Sequence, residues 1–240
     1  MAALAGYIFA FTAENIVKHY KYENSTTFYT DLIYPVWYPF ELSNKWIYGL
    51  VIAQQIHISI VGTVSTLYIE LLLMSMVMLC STYFSIISKE ILQLKPNRNQ
   101  MNKEKLKLIK IIKYHTEMLN LTETINNTFS MAVLFNFLAS SIIICFIGFQ
   151  VACGAEILEI LRRMWFLLYE IVRVYIISYL GEELIQSSEG VSKSAYEHFW
   201  FNGDIIYQKC ILFIITRSQK PAIINANGFA VVSLKTFTKV

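Results

Sequence analysis

From Trp46 to Ile69 the chain carries no charged side chain, and from Phe129 to Cys153 it again carries none. Each run is near the ~20 residues that a helix needs to cross about 30 Å of hydrocarbon. The first continues apolar past Glu70 to Ser88, longer than one span requires, which predicts one long helix whose second half leaves the bilayer toward Lys89. Met164–Leu180 is a third candidate, interrupted by Glu170 and Arg173. Ile205–Thr216 is apolar but short, as suits a helix buried among other helices. With 55% hydrophobic and 15% charged residues and a mean hydropathy of +0.47, the chain is too apolar for an ordinary soluble domain. The expected fold is an all-α membrane protein of one domain over residues 1–240, and nothing suggests a strand-rich part.

Basic residues set the orientation, because short loops rich in Lys and Arg stay cytoplasmic. Eight fall between residues 89 and 113: Lys89, Lys95, Arg98, Lys103, Lys105, Lys107, Lys110 and Lys113. The loop from Lys18 to Lys45 has only three. It is therefore placed outside, where Asn24-Ser25-Thr26 forms a glycosylation sequon. Sequons at Asn120 and Asn126 fall on the inner side, where no glycan is added. Arg162 and Arg163 land outside, against the trend. Leu106, Ile109, Lys110, Lys113 and Glu117 follow helical spacing, as expected of a helix that starts in the cytoplasm and runs into the Phe129–Cys153 span.

Few residues have the pattern of chemistry. The cysteines show no CxxC spacing and the four histidines no i, i+4 pairing, so no metal site is assigned. No nucleophile, base and acid assemble, there is no phosphate loop, and the basic cluster lacks interleaved aromatics, so neither an enzyme nor a nucleic-acid binder is expected. No cofactor is implied. Glu170 and Arg173, three apart, can neutralise each other inside the third span, as a structural pair or as the wall of a ligand cavity. Glu70 is expected to be solvated at the inner end of its span. Tyr48, Trp165, Phe166 and Tyr169 stand near outer ends, where an interfacial belt and an apolar pocket are both open readings.

Three stretches bear a resemblance. "WYPF" at Trp37–Phe40, "SAYEHFW" at Ser194–Trp200 and "RSQKPAIINANGFAVVSLKTF" at Arg217–Phe237 resemble the C-terminal half of the insect odorant receptor family. The likeness runs over essentially the whole chain. Where family members often read Ala-Gly-Lys-Phe, this sequence has Ala226-Asn227-Gly228-Phe229.

The resemblance implies a seven-span helical subunit of a tetrameric, odorant-gated, nonselective cation channel in the plasma membrane of the olfactory neuron dendrite. Its partners would be a small apolar volatile, a shared co-receptor subunit and the lipid bilayer. Residues 1–17 would end the third span, 46–88 form the fourth, 103–151 the fifth, 163–186 the sixth and 204–240 a split, incomplete seventh. The first two spans and the terminal gate would be missing, as in a partial gene product.

In that frame Tyr48, Ile52, Phe166 and Tyr169 are the ligand-binding candidates, chosen by depth and helical phase. Tyr196, Trp200 and Arg217 would face other subunits. A pore helix beginning just after Pro221 would present Ser233, Thr236 and Val240 to water. A gustatory-type chemoreceptor is the alternative within chemoreception. A membrane transporter or enzyme would have only Glu70 and the Glu170/Arg173 pair to work with.

Overall fold

A computed structural model describes residues 32–33, 36–40, 44–96, 101–152, 157–238 of the chain. It divides into two compact units, Met1–Leu71 and Leu72–Val240. Helix α1 (Lys45–Gln93) begins in the first unit and ends in the second. It is followed by α2 (Met101–Ala152), α3 (Ile157–Glu197), a 3₁₀ turn (Trp200–Asn202), α4 (Ile205–Ser218) and a short α5 (Leu234–Phe237).

In the first unit Asn44 starts α1, its Oδ1 accepting the backbone N–H of Trp46 at 3.0 Å, one of the donors that a helix start leaves open. The Gln55 side chain donates to the Tyr38 hydroxyl at 3.2 Å. Ser59 and Thr63 return their hydroxyls to the carbonyls of Gln55 and Ser59 at 2.6 and 2.7 Å. That back-bonding lets a polar side chain stay in an apolar helix without an unpaired donor. Glu70, expected to be solvated, is only 8% exposed and has an interaction partner. It lies on the α1 stripe that continues through Leu73 and Val77, and that stripe is the buried one.

In the second unit the core is a set of facing seven-residue patterns. On α1 it comprises Val77, Cys80, Phe84, Ile87 and Ile91; on α3, Ile177, Leu184, Val191 and Ala195; on α4, Tyr207, Ile211 and Ile214. Leu108, Ile111, Leu119 and Ile125 of α2 complete it. The steps of three and four residues keep one stripe of each helix turned inward. Most of this core lies on the basic side of the apolar runs.

The apolar runs themselves are exposed. Of the most apolar window of α2 only 11% is buried, with Phe135, Ile142, Phe146 and Phe149 facing outward. Among the described residues three helices are long and apolar enough to cross a membrane. At about 78 Å, α2 is more than twice as long as a span needs, so it must project beyond the bilayer. Helix α3 also runs past the expected 163–186, because Ser188, Val191 and Ala195 keep the inward stripe going after Gln186.

The expected helix after Pro221 is not there. Residues 221–232 are non-helical and fold back at an antiparallel bridge between Asn225 and Val231. Asn227 and Gly228 both have positive φ, 49° and 81°. Asn-Gly is the pair that tolerates this left-handed turn best, and Phe229 N–H closes it on Ala226 O at 3.0 Å. Helix α5 starts only at Leu234, capped by Ser233, whose hydroxyl accepts the Thr236 N–H.

Candidate functional site

The four ligand candidates are all half-buried. Tyr48 and Ile52 sit on α1 in the first unit, and Phe166 and Tyr169 on α3 in the second. Phe166, Tyr169, Glu170 and Arg173 follow i, i+3, i+4, i+7 spacing and so share one face of α3.

On that face Arg173 Nη2 approaches Glu170 Oε2 at 2.7 Å, and Arg173 Nε reaches the same oxygen at 3.1 Å. Ser140 of α2 completes a triad. Its hydroxyl accepts from Arg173 Nη2 at 2.6 Å and donates to Glu170 Oε2 at 3.3 Å. Both charged side chains are mostly buried. Two charges at low dielectric persist only when paired and hydrogen-bonded, and this arrangement does both while tying α2 to α3. Sequence reasoning found the pair but missed Ser140, because a serine in an uncharged run carries no sign of which helix it faces.

Where the terminal hairpin meets α1 and α3, an apolar crevice is lined by Leu73, Val77, Ile177, Gly181, Ile224 and Val232, among others. Its free space of about 10 Å³ holds roughly one water. A small-molecule pocket needs roughly 300–1,000 Å³, so the crevice is a packing seam.

The hairpin is bonded to both neighbouring helices. Asn225 N–H donates to Asn126 Oδ1 of α2 at 2.8 Å, and Ala222 N–H to Ser188 Oγ of α3 at 3.0 Å. Phe237 of α5 meets Tyr175 of α3 edge to face at 5.6 Å. Of the expected pore residues, Ser233 is buried as the cap of α5, Thr236 is half-buried with its hydroxyl 3.2 Å from that of Ser233, and Val240 lies outside the described residues. Asn24 lies outside them too.

Beyond the apolar spans a polar cluster fixes the start of α4. Asp204 caps it by accepting the Tyr207 N–H at 3.1 Å and pairs with Lys105 of α2. The hydrogen bond from Lys105, with that from Tyr207 N–H, lowers the Asp204 pKa. Tyr207 Oη lies 2.7 Å from His198 Nε2, both side chains buried. Burial lowers the His198 pKa, with the Glu104 charge opposing, and raises that of Tyr207. Glu104 is lowered: burial raises it, but the Lys107 hydrogen bond, the Lys95 N–H and nearby lysine charges prevail.

His115 packs edge-on to Phe84 and lies 3.3 Å from the Ser218 hydroxyl. Burial, and then the charge of Arg217, push its pKa down to about 4. Among the described residues no group of His, Cys, Asp and Glu is arranged to hold a metal.

Tyr196 is 71% exposed, and Phe199, Phe201, Ile205, Ile206, Leu212 and Phe213 are exposed with it. Arg217 is exposed, its Nη1 donating to the Lys220 carbonyl at 3.3 Å, whereas Trp200 is half-buried.

The profile of the family described as "7tm Odorant receptor" matches residues 2–240. The chain belongs to the insect odorant receptor family. The chain is 34% identical to putative odorant receptor 92a of Drosophila melanogaster over 185 residues, 77% of this chain and 45% of that one. It is 34% identical to Drosophila melanogaster odorant receptor 67c over 216 residues, 89% of this chain and 53% of the relative. It thus spans about half the length of these curated relatives. Its fold is similar to that of the insect olfactory receptor OR5 from Machilis hrabei solved in complex with eugenol, with a TM-score of 0.70 at 16% identity over 98% of this chain and 62% of that one.

The chain accordingly belongs to a family of multi-pass membrane receptors rather than enzymes. Its Asn126, Ser140, Gly181 and Ser188 carry contacts between elements that sequence reasoning did not single out. Only the Asn227-Gly228 pair advertised its turn in the sequence.

Proposed function

We propose that this odorant receptor is a tuning subunit of a ligand-gated cation channel, in which a small volatile binds between membrane helices and biases the last helix toward an open pore. The observation that carries this reading is the family match along residues 2–240, to which the eugenol complex of the OR5 relative adds a ligand class. Tyr48, Ile52, Phe166 and Tyr169 are the proposed contacts. A ligand shifts the closed-to-open balance only by its differential affinity for the two states, so contacts on a helix coupled to the pore matter most. Tyr196, Trp200 and Arg217 are proposed to meet neighbouring subunits, a co-receptor among them, and the exposed apolar surface around Tyr196 and Phe213 supports that. The proposed site of action is the plasma membrane of an olfactory neuron dendrite, with residues 89–113 inside.

The test is electrical. The chain, extended at both ends with the matching parts of a full-length relative, is expressed with the co-receptor, and Tyr169→Ala is compared with the parent over an odorant panel. A changed ranking of responses supports the pocket; uniform scaling refutes it. No current from the parent with any odorant refutes the channel reading.

A further inference from the structure

Gly181 of α3 approaches Val232 of the terminal hairpin closely. A Cβ placed on Gly181 would collide with the Val232 carbonyl oxygen and come within 2.8 Å of its Cγ1. Gly190, further along the same helix, would meet nothing nearer than the Ser88 hydroxyl at 4.0 Å. On its other strand the hairpin is held by Asn126 and Ser188 through the bonds to Asn225 and Ala222. One residue beyond Val232, Ser233 caps α5. The direction in which the last helix leaves the core is therefore set by backbone contacts to α2 and α3, with no freely rotating linker between.

We propose that the hairpin from Ala222 to Val232 is a strap that transmits displacement of α3 to the first turn of the last helix, with Gly181 as the bearing point and Asn126 and Ser188 as its anchors. This inference rests on the channel reading above. Phe166, Tyr169 and Gly181 lie on one helix, and a packed, hydrogen-bonded contact moves as a unit where a loop would absorb the motion. Gly181, Asn126 and Ser188 are positioning residues in this scheme, since they touch neither ligand nor pore.

The test has two arms. In the first, hydrogen exchange is measured on the purified full chain in lipid nanodiscs. Gly181→Ala is expected to speed exchange of the 230–237 amides about tenfold while leaving α4 protected, and Gly190→Ala to change neither. Unchanged protection in Gly181→Ala, or equal loss in Gly190→Ala, overturns the strap. Should Gly181→Ala fail to accumulate, Asn126→Leu combined with Ser188→Ala is read the same way.

In the second arm the extended receptor with its co-receptor is recorded. Gly181→Ala is expected to change the fraction of current that flows without odorant, a quantity that lower surface expression does not move. Faster exchange with that fraction unchanged overturns transmission. If no variant conducts, the channel reading fails and the exchange arm still judges the strap.

Discussion

His198 and Tyr207 share one buried hydrogen bond, Nε2 to Oη at 2.7 Å, between the end of α3 and the start of α4, and the other ring nitrogen of His198 has no hydrogen-bond partner among the described residues. Tyr207→Phe would leave both ring nitrogens unpaired at a buried position. A buried group without its partner costs about 1–3 kcal/mol, so the variant should unfold at a visibly lower temperature in detergent. An unchanged melting temperature would mean that water already serves this ring.

Acid should loosen the same bundle. The His115 pKa, pushed down to about 4, lies below that of an exposed histidine, so the folded state resists a proton that the unfolded chain accepts from about pH 6.5 downward. The stability from keeping His115 neutral is full above that pH and is lost as pH falls toward 4. His198 is lowered also and acts in the same direction. Melting temperature should fall from pH 6.5 to 4.5, and His115→Gln should flatten the decline; equal slopes would exclude His115 as a source.

Arg173→Ala leaves Glu170 buried with only Ser140 of the triad. Loss of one partner of a buried pair costs about 3–5 kcal/mol, whereas replacing both is often neutral. Surface expression should therefore drop further in Arg173→Ala than in Glu170→Gln with Arg173→Met. Equal expression of the two variants would remove the energetic coupling.

Glycan mapping in insect cells checks the orientation. Asn126 Oδ1 already accepts the Asn225 N–H and Asn120 lies within α2, so neither should be modified, while Asn24 should be. Asn24→Gln is expected to abolish the mobility shift; a shift that persists there and disappears in Asn120→Gln would invert the topology.

The sequence was most informative where one residue type decides by itself. Uncharged runs located the long helices, and three-residue spacing found Glu170 with Arg173. It was least informative where geometry between distant segments decides. The family resemblance implied a helix after Pro221, yet Asn227-Gly228 supports a turn, and Asn126 and Ser188 supply bonds to backbone that a helix would have paired internally. Glu70 was misjudged for a related reason: its position along α1 pointed to solvent, while its phase matched the buried stripe.

The contrast between the tightly packed basic-side bundle and the thinly covered apolar half of α2 separates two evolutionary burdens. Substitutions among the half-buried outer residues remove few intramolecular contacts, so a lineage can change them without first acquiring compensating changes. Drift among Phe84, Leu184 and Tyr207 is constrained by foldability instead. Paralogues of this receptor should therefore diverge fastest along the outer stretch of α3 near Phe166 and slowest around its inner turns, whatever odours they detect.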